Sequence, residues 1–408
     1  MNDRELYQKI LGLEAPWVVA GVEVATEAEE VRVRLELEPG SELRCPECSE
    51  PAPGYDRTPE RSWRHLDTCQ FRTVLSARLP RVRCSEHGVR VIRVPWAEDR
   101  SRFTALFEAW AIRVLKETTL AGLARLLDLS WDEAEGILER AVRRGLARRE
   151  EEPVRFLGID ETSFQKRHEY VTVVSDLERG RVLWVGDHRR QATLNAFWAE
   201  LSAPARDRIE EVVMDMWEPY IRSTLAALPD AEGKIVIDRY HVAHLLAEAV
   251  DRVRRAEQAT LRRQGDGRLA GTRYTWLRSR ANRRLSEELL IAQLSRSGLK
   301  VGRAWALKEA AVRLWEYRSR TWATKYFRRW YFWATHSQLP PVIKAARTMK
   351  RYLRWILNFL RHHHTNAAAE ALNARIQEIK YRARGYRNRD NFRRAILFHC
   401  GGLNMNPL

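Results

Sequence analysis

The chain has 408 residues, 45% apolar and 31% charged, enough for several buried cores and too long for one small domain. Lys and Arg total 71 against 54 Asp and Glu, a formal net charge of +17 that suits a binder of polyanions. The apolar stretch APWVVAGV falls far short of the roughly 20 residues a membrane helix needs, so no membrane partner is expected. No basic leader opens the chain, and five cysteines with Cys400 isolated make no disulfide framework. A cytoplasmic, nucleoid-associated protein is expected.

Residues 1–100 read as an N-terminal zinc-binding domain. VEVATEAEEVRVRLELEPG alternates apolar and charged residues as a half-buried strand does. Cys45 and Cys48 in CPEC share their spacing with Cys84 and His87 in CSEH, and the two pairs complete a tetrahedral set for structural Zn2+. His65 and Cys69, between the pairs, are alternative ligands, and four reduced residues without metal are the competing reading. Arg72, Arg78, Arg81 and Arg83 would let the finger touch phosphates.

Residues 101–150 read as a helix-turn-helix DNA-binding domain. In TLAGLARLLDLSWDEAEGILERAV, Ala124 is the small residue at the helix crossing, Leu129 the buried turn residue, and Trp131 to Arg144 the recognition helix. Asp128 stands where the turn needs a left-handed residue. The helix opens on Asp132, Glu133 and Glu135, which repel phosphates, so base contacts are assigned to Arg140, Arg143 and Arg144. A plain helical linker is the alternative.

Past Pro153, residues 151–240 run VRFLGID, EYVTVVSDL, RVLWVGDH, a helical TLNAFWAELS, IEEVVMD, a helical PYIRSTLAAL and KIVID. Three meander strands, helix, strand, helix, strand is the order of an RNase H-like fold. Residues 241–360 read as an all-helical insertion, and 361–408 as the C-terminal part of the core. The fold class is therefore multidomain α/β: an RNase H-like catalytic core interrupted by an all-helical insertion, preceded by a zinc-binding module and a helix-turn-helix.

Asp160 in FLGIDETSF and Asp215 in EEVVMDMW interrupt apolar runs, where an unpaired buried carboxylate is costly. In this fold the first strand lies beside the fourth, about 5 Å away, so both carboxylates reach one cation. The third acid must come from a helix. Glu370, Asn373, Gln377, Lys380 and Arg384 share one helical face, while Leu372, Ile376, Ile379 and Ala383 share the other. Glu370 then meets the metal, Glu378 lies off that face, and Lys380 and Arg384 follow a phosphate backbone. Three such carboxylates suit two Mg2+ (or Mn2+) ions, about 3.5–4 Å apart, for cutting a phosphodiester. Solvated strand-end aspartates are the bland alternative.

Asp238 and His241 in VIDRYHV form an Asp-x-x-His, which with His244 has metal-ligand spacing; Asp238 equally suits a helix cap. Trp315, Trp322, Trp330 and Trp333 alternate with Arg318, Arg320, Arg328 and Arg329, readable as helical core or as a nucleic-acid surface. His362, His363 and His364 read as a surface cluster, and Cys400 as a small buried hydrophobe.

GIDETSF with HEYVTVVSDLERGRVLWVG, VVMDMWEPY, VIDRYHV, and TNAAAEALNARI followed by ARGYRN resemble, in this order, bacterial DDE insertion-sequence transposases of the ISL-three group. The N-terminal CPEC…CSEH and helical segment fit the same family. The resemblance implies that Asp160, Asp215 and Glu370 are the metal-binding triad, and gives Asp238 and His241 an auxiliary role in placing DNA. The chain departs from the family at His87, where Cys is usual, and at Arg167, Ala367 and Ala371, where Gly is favoured. The implied function is a transposase that binds terminal inverted repeats and target DNA, cuts and transfers strands, and works on DNA as a homodimer. The alternative is a non-catalytic DNA-binding regulator derived from a transposase.

Overall fold

The computed structural model describes residues 2–150, 152–165, 169–278, 282–362 and 367–408; Arg167, His363 and His364 lie outside these, as does the side chain of His362. The chain divides into two compact units, Met1–Arg149 with Leu403–Leu408, and Glu150–Gly402.

In the first unit, α1 (Asp3–Ile10) precedes strands β1 (Trp17–Ala25), β2 (Glu30–Leu37), β3 (Gly54–Arg57), β4 (Arg61–Arg64), β5 (Arg72–Ala77), β6 (Pro80–Cys84) and β7 (Gly88–Val91). One sheet has the order β1-β2-β5-β4, and β3-β6-β7 form a second. The alternation in β2 is realised: Val31, Val33 and Leu35 are buried while Arg32, Arg34 and Glu36 are exposed. Trp96 stands edge-on to both Trp17 and Trp63, with ring centroids 4.7 and 5.4 Å away, closing this small core.

Helices α2 (Ala105–Glu117), α3 (Leu120–Leu126) and α4 (Trp131–Ala147) follow. Asp128 takes the left-handed turn conformation, and Ser130 caps α4 in a capping box with Glu133. The small residue the packing demands is Gly122, where an added Cβ would collide with the Thr118 hydroxyl, rather than the half-buried Ala124. Leu129 is likewise only half-buried.

Arg140 and Arg144 are not base readers. The Arg144 guanidinium is buried between Glu98 (2.5 Å), Glu108 (3.0 Å) and the Met405 carbonyl (2.6 Å), and Arg140 pairs with Glu108 at 2.7 Å. Both fall on the helix face that carries Ile137 and Ala141 into the core, where each cation needs a buried carboxylate. Arg143 alone of the three is exposed.

In the second unit, β8 (Phe156–Gln165), β9 (Glu169–Asp176) and β10 (Arg181–Asp187) form an antiparallel meander; α5 (Gln191–Glu200), α6 (Ala203–Asp207), β11 (Glu211–Met214), α7 (Glu218–Ala227), α8 (Ala231–Lys234) and β12 (Ile235–Ile237) follow. The sheet order is β10-β9-β8-β11-β12, with β8, β11 and β12 parallel. Helices α9 (Arg239–Arg263), α10 (Arg273–Leu277), α11 (Leu285–Arg296), α12 (Lys300–Val312), α13 (Arg320–Thr335), α14 (Pro340–Ile356) and α15 (Phe359–His362) come next, then α16 (Ala367–Arg382) and α17 (Arg389–Cys400). One continuous apolar core joins Leu157, Ile159, Val212 and Met214 of the sheet to Val242, Leu246, Leu307, Phe327, Trp330 and Met349 of these helices. Trp315 and Trp330 serve this core, whereas Trp322 and Trp333 are exposed.

Candidate active site and metal centre

Strand register places three aspartates side by side. Ile159 of β8 pairs with Met214 of β11, and Met214 with Ile237 of β12. The next residues along the chain are Asp160, still within β8, and Asp215 and Asp238, directly past the ends of β11 and β12. Side chains alternate across a sheet, so all three point away from the face that Ile159, Met214 and Ile237 bury. Adjacent strands lie about 4.8 Å apart, but the three carboxylates form no group with all donor atoms within 4.8 Å of one another among the described residues.

Helix α16 lies along β8. Asn373 donates its side-chain amide to Asp160 Oδ2, Gln377 donates to Thr162 Oγ1 at 2.5 Å, and Lys380 Nζ donates to the Ser163 carbonyl at 2.5 Å. Leu372 and Ile376 are buried on the opposite side. The polar face, through Asn373, Gln377 and Lys380, therefore meets the strand that carries Asp160. Glu370, one turn before Asn373, is solvent-exposed and falls in no group of three donors within 4.8 Å among the described residues. Lys380 is committed to β8, and burial lowers the pKa of its amine. Arg384 is not on the helical face: α16 ends at Arg382, and Arg384 turns left-handed (φ 55°) ahead of Gly385 (φ 93°), leaving its side chain exposed beyond the helix.

His241 stands between two of the aspartates, its Nδ1 3.5 Å from Asp215 and its Nε2 3.8 Å from Asp238. Asp238 also caps α9, accepting from the Tyr240 N–H at 2.9 Å. His244 does not join them. It is exposed, 3.8 Å from Glu248 and stacked beside Tyr240.

Two residues that motif reading overlooked lie beside these acids. Arg189 lies 2.8 Å from Glu161 and 2.9 Å from Asp215, with its guanidinium 4.1 Å from the Trp217 ring centroid. Burial pushes the Glu161 carboxyl up to about 7 against the pull of Arg189, and Glu161 Oε2 is buried with no hydrogen bond among the described residues. Burial also raises the Asp160 carboxyl, with His241 and the Glu161 and Asn373 hydrogen bonds opposing it. Asp160 and Glu161, hard oxygen donors whose charge burial disfavours, are of the donor type that a divalent cation such as Mg2+ or Mn2+ takes. In sequence the only signal for Glu161 was a second acid beside Asp160 in GIDET.

In the first unit the ligand atoms of Cys45, Cys48, Cys84 and His87 all lie within 4.8 Å of one another. Cys45 and Cys48 bracket a tight turn in which Ser49 N–H donates to the Cys45 carbonyl at 2.9 Å. Cys84 ends β6, and Gly88 turns left-handed (φ 67°) to start β7. The Cys48–Cys84 sulfur separation is 3.7 Å, and His87 Nδ1 lies 3.5 and 3.8 Å from the sulfurs of Cys84 and Cys45. A tetrahedron with Zn–S about 2.3 Å and Zn–N about 2.0 Å has edges near these lengths. The backbone N–H of His87, its ring and the Glu86 N–H draw the Cys84 thiol down to about 6, toward the thiolate zinc requires. His65 is instead buried against the Thr104 hydroxyl at 2.9 Å, and Cys69 is exposed.

Known proteins match both units. Residues 157–396 match a family described as "Transposase", residues 41–87 the "zinc-finger of transposase IS204/IS1001/IS1096/IS1165", and residues 92–142 the "Helix-turn-helix domain of transposase family ISL3". The chain is 29% identical over 399 residues to the transposase for insertion sequence element IS1001 of Bordetella parapertussis, covering 96% of this chain and 97% of that one. It is 27% identical over 420 residues to the transposase for insertion sequence element IS1557 of Mycobacterium tuberculosis, covering 95% and 93%. Zinc ribbon, helix-turn-helix and DDE transposase domain thus follow one another in the layout of an insertion-sequence transposase, an enzyme that binds and acts on DNA. The chain belongs to the ISL3 family of transposases. No helix among its described residues is long and apolar enough to cross a membrane.

Proposed function

We propose that Asp160, Asp215 and Glu370 hold two Mg2+ or Mn2+ ions and that this site cuts the ends of an insertion sequence and joins them to target DNA. The observation that carries the reading is the pairing of Ile159 with Met214 on adjacent parallel strands, each followed directly by Asp160 or Asp215, with Asn373 tying to Asp160 the helix that bears Glu370. The sheet order β10-β9-β8-β11-β12 supports an RNase H-like core, for which residues 151–240 and 361–402 supply the elements and 241–360 the helical insertion. Residues 403–408 go instead with the first unit, where residues 1–100 form the zinc module and 101–150 the helix-turn-helix.

When bound, such cations supply Lewis-acid stabilisation of the charge that builds on the scissile phosphate. The protein's own groups do the placing. Asn373 orients the Asp160 carboxylate, and His241 steadies Asp215 and Asp238, an auxiliary role. Arg189, close to Asp215 and Glu161, offsets the repulsion between these two acids. Water attacks the phosphorus and the 3′ oxygen leaves as a hydroxyl; that hydroxyl then attacks a phosphodiester of the target, whose own 3′ oxygen leaves and takes up the proton. The first unit, through Arg143 and a zinc-stapled finger, holds the terminal inverted repeats. Pairing two ends requires two protomers, hence a homodimer on DNA in the bacterial nucleoid.

The test is cleavage of a duplex bearing the element's end, in Mg2+, by wild type and by Asp160→Asn. The reading requires end binding without cleavage in the variant. Equal cleavage refutes it, and binding without cleavage by the wild type favours a non-catalytic regulator.

A further inference from the structure

Helix α13 has two contrasting sides. Ala323, Phe327, Trp330 and Ala334 are buried in the core, while Trp322, Phe332 and Trp333 are 61, 65 and 43% exposed. Three large aromatic rings left in solvent on one helix lose much of the burial free energy such side chains ordinarily contribute. Their neighbours on that side are basic. Lys325 lies over the Trp322 ring at 4.7 Å, and Arg328 and Arg329 are exposed with no ion pair among the described residues. His336 stacks on Phe332 with centroids 4.0 Å apart.

Helix α14 packs against α13 and continues the pattern. Its outer arc carries Lys344, Arg347, Lys350 and Arg351, all exposed, and Lys350 reaches across to lie 4.8 Å from the Tyr331 ring of α13. Neither helix contains an Asp or a Glu. A solvated helix surface ordinarily mixes charges of both signs. An acid-free surface that alternates exposed rings with cations complements a ligand with flat faces and a regular negative charge. A duplex buries its base faces by stacking, so it offers only the charge. A single strand offers both.

We propose that the outer faces of α13 and α14 form a binding track for single-stranded DNA, with bases stacked on Trp322, Phe332 and Trp333 and phosphates against the flanking cations. The choice of DNA rests on the transposase reading, but the track does not depend on Asp160, Asp215 or Glu370. An acidic protein segment would satisfy the cations and leave the rings without flat partners.

The experiment is fluorescence anisotropy with the full-length chain, a short fluorescein-labelled single strand of mixed sequence, and the duplex of the same sequence. Trp322→Ala/Phe332→Ala is expected to weaken the single strand by about 10-fold or more, on the scale of lost base–aromatic stacking, and to leave the duplex within about twofold. Arg328→Ala/Arg329→Ala should weaken the single strand and flatten its salt dependence. Both pairs are solvent-facing, and an unchanged urea midpoint verifies folding. Unchanged single-strand affinity in the aromatic variant overturns the proposal. So does an equal loss for duplex and single strand, or displacement of the strand by polyglutamate as readily as by unlabelled strand. An Asp160→Asn chain that still binds the single strand separates this outcome from failure of the catalytic reading.

Discussion

Asn373 donates its side-chain amide to the Asp160 carboxylate, joining α16 to β8 across 213 residues of sequence. This contact fixes the register of the helix on the strand, and with Gln377 on Thr162 it sets where Glu370 begins. Asn373→Ala is therefore expected to lower end cleavage substantially while sparing end binding, because it frees the helix that carries one proposed ligand without touching the DNA-recognition unit. Asn373→Asp should be worse still, since it sets a second carboxylate against Asp160. A cleavage rate unchanged in Asn373→Ala would show that the contact positions nothing.

Buried charge separates structural from DNA-facing arginines in α4. Arg144→Ala takes one of two cations from Glu108, which is 1% exposed and keeps Arg140 and the Ser101 hydroxyl, and frees the Met405 carbonyl; it should cost about 1–3 kcal/mol in urea unfolding. Arg143→Ala should change stability by less than about 0.5 kcal/mol and weaken duplex binding, with a salt dependence shallower by about one unit. Equal stability in the two variants would contradict the assignment.

The Cys45, Cys48, Cys84 and His87 cluster should carry one zinc per chain, measurable by elemental analysis. Chelation, or Cys84→Ser, is expected to remove it and to disorder the β3-β6-β7 sheet that supplies two of the ligands, lowering DNA binding through the first unit. Zinc-free protein with unchanged near-ultraviolet dichroism would oppose this.

Burial holds the His65 imidazole down to about 4, against about 6.5 when unfolded. Between those values the unfolded chain takes up a proton that the folded chain refuses, so stability is lost as pH falls from about 6.5 toward 4. His65→Gln removes the titration. Between pH 7.5 and 5.5, wild type should lose on the order of 1 kcal/mol more than the variant, read from urea midpoints. Identical losses would mean that His65 titrates normally in the fold.

Much of this was legible in the chain. The face containing Asn373 and Gln377 follows from helical periodicity, and Asp160 and Asp215 announce themselves as acids at the ends of apolar runs. The zinc ligands are readable because their spacing fixes their geometry. Arg140 and Arg144 were misread because a basic residue on a helix is ordinarily solvated. Only the pairing of α2 with α4 reveals Glu108 as their buried counter-charge. Arg189 and Glu161 carry no motif, since their roles arise where β8, the turn after β10 and the end of β11 converge.

Glu370 is the member of the proposed triad whose place rests most on helix register, so the most direct measurement is Mn2+ binding, followed by electron paramagnetic resonance, in wild type and Glu370→Gln. The account predicts two Mn2+ per chain in the wild type, at most one tightly held in the variant, and a parallel loss of end cleavage. A variant that binds two ions and cuts as the wild type does would contradict it.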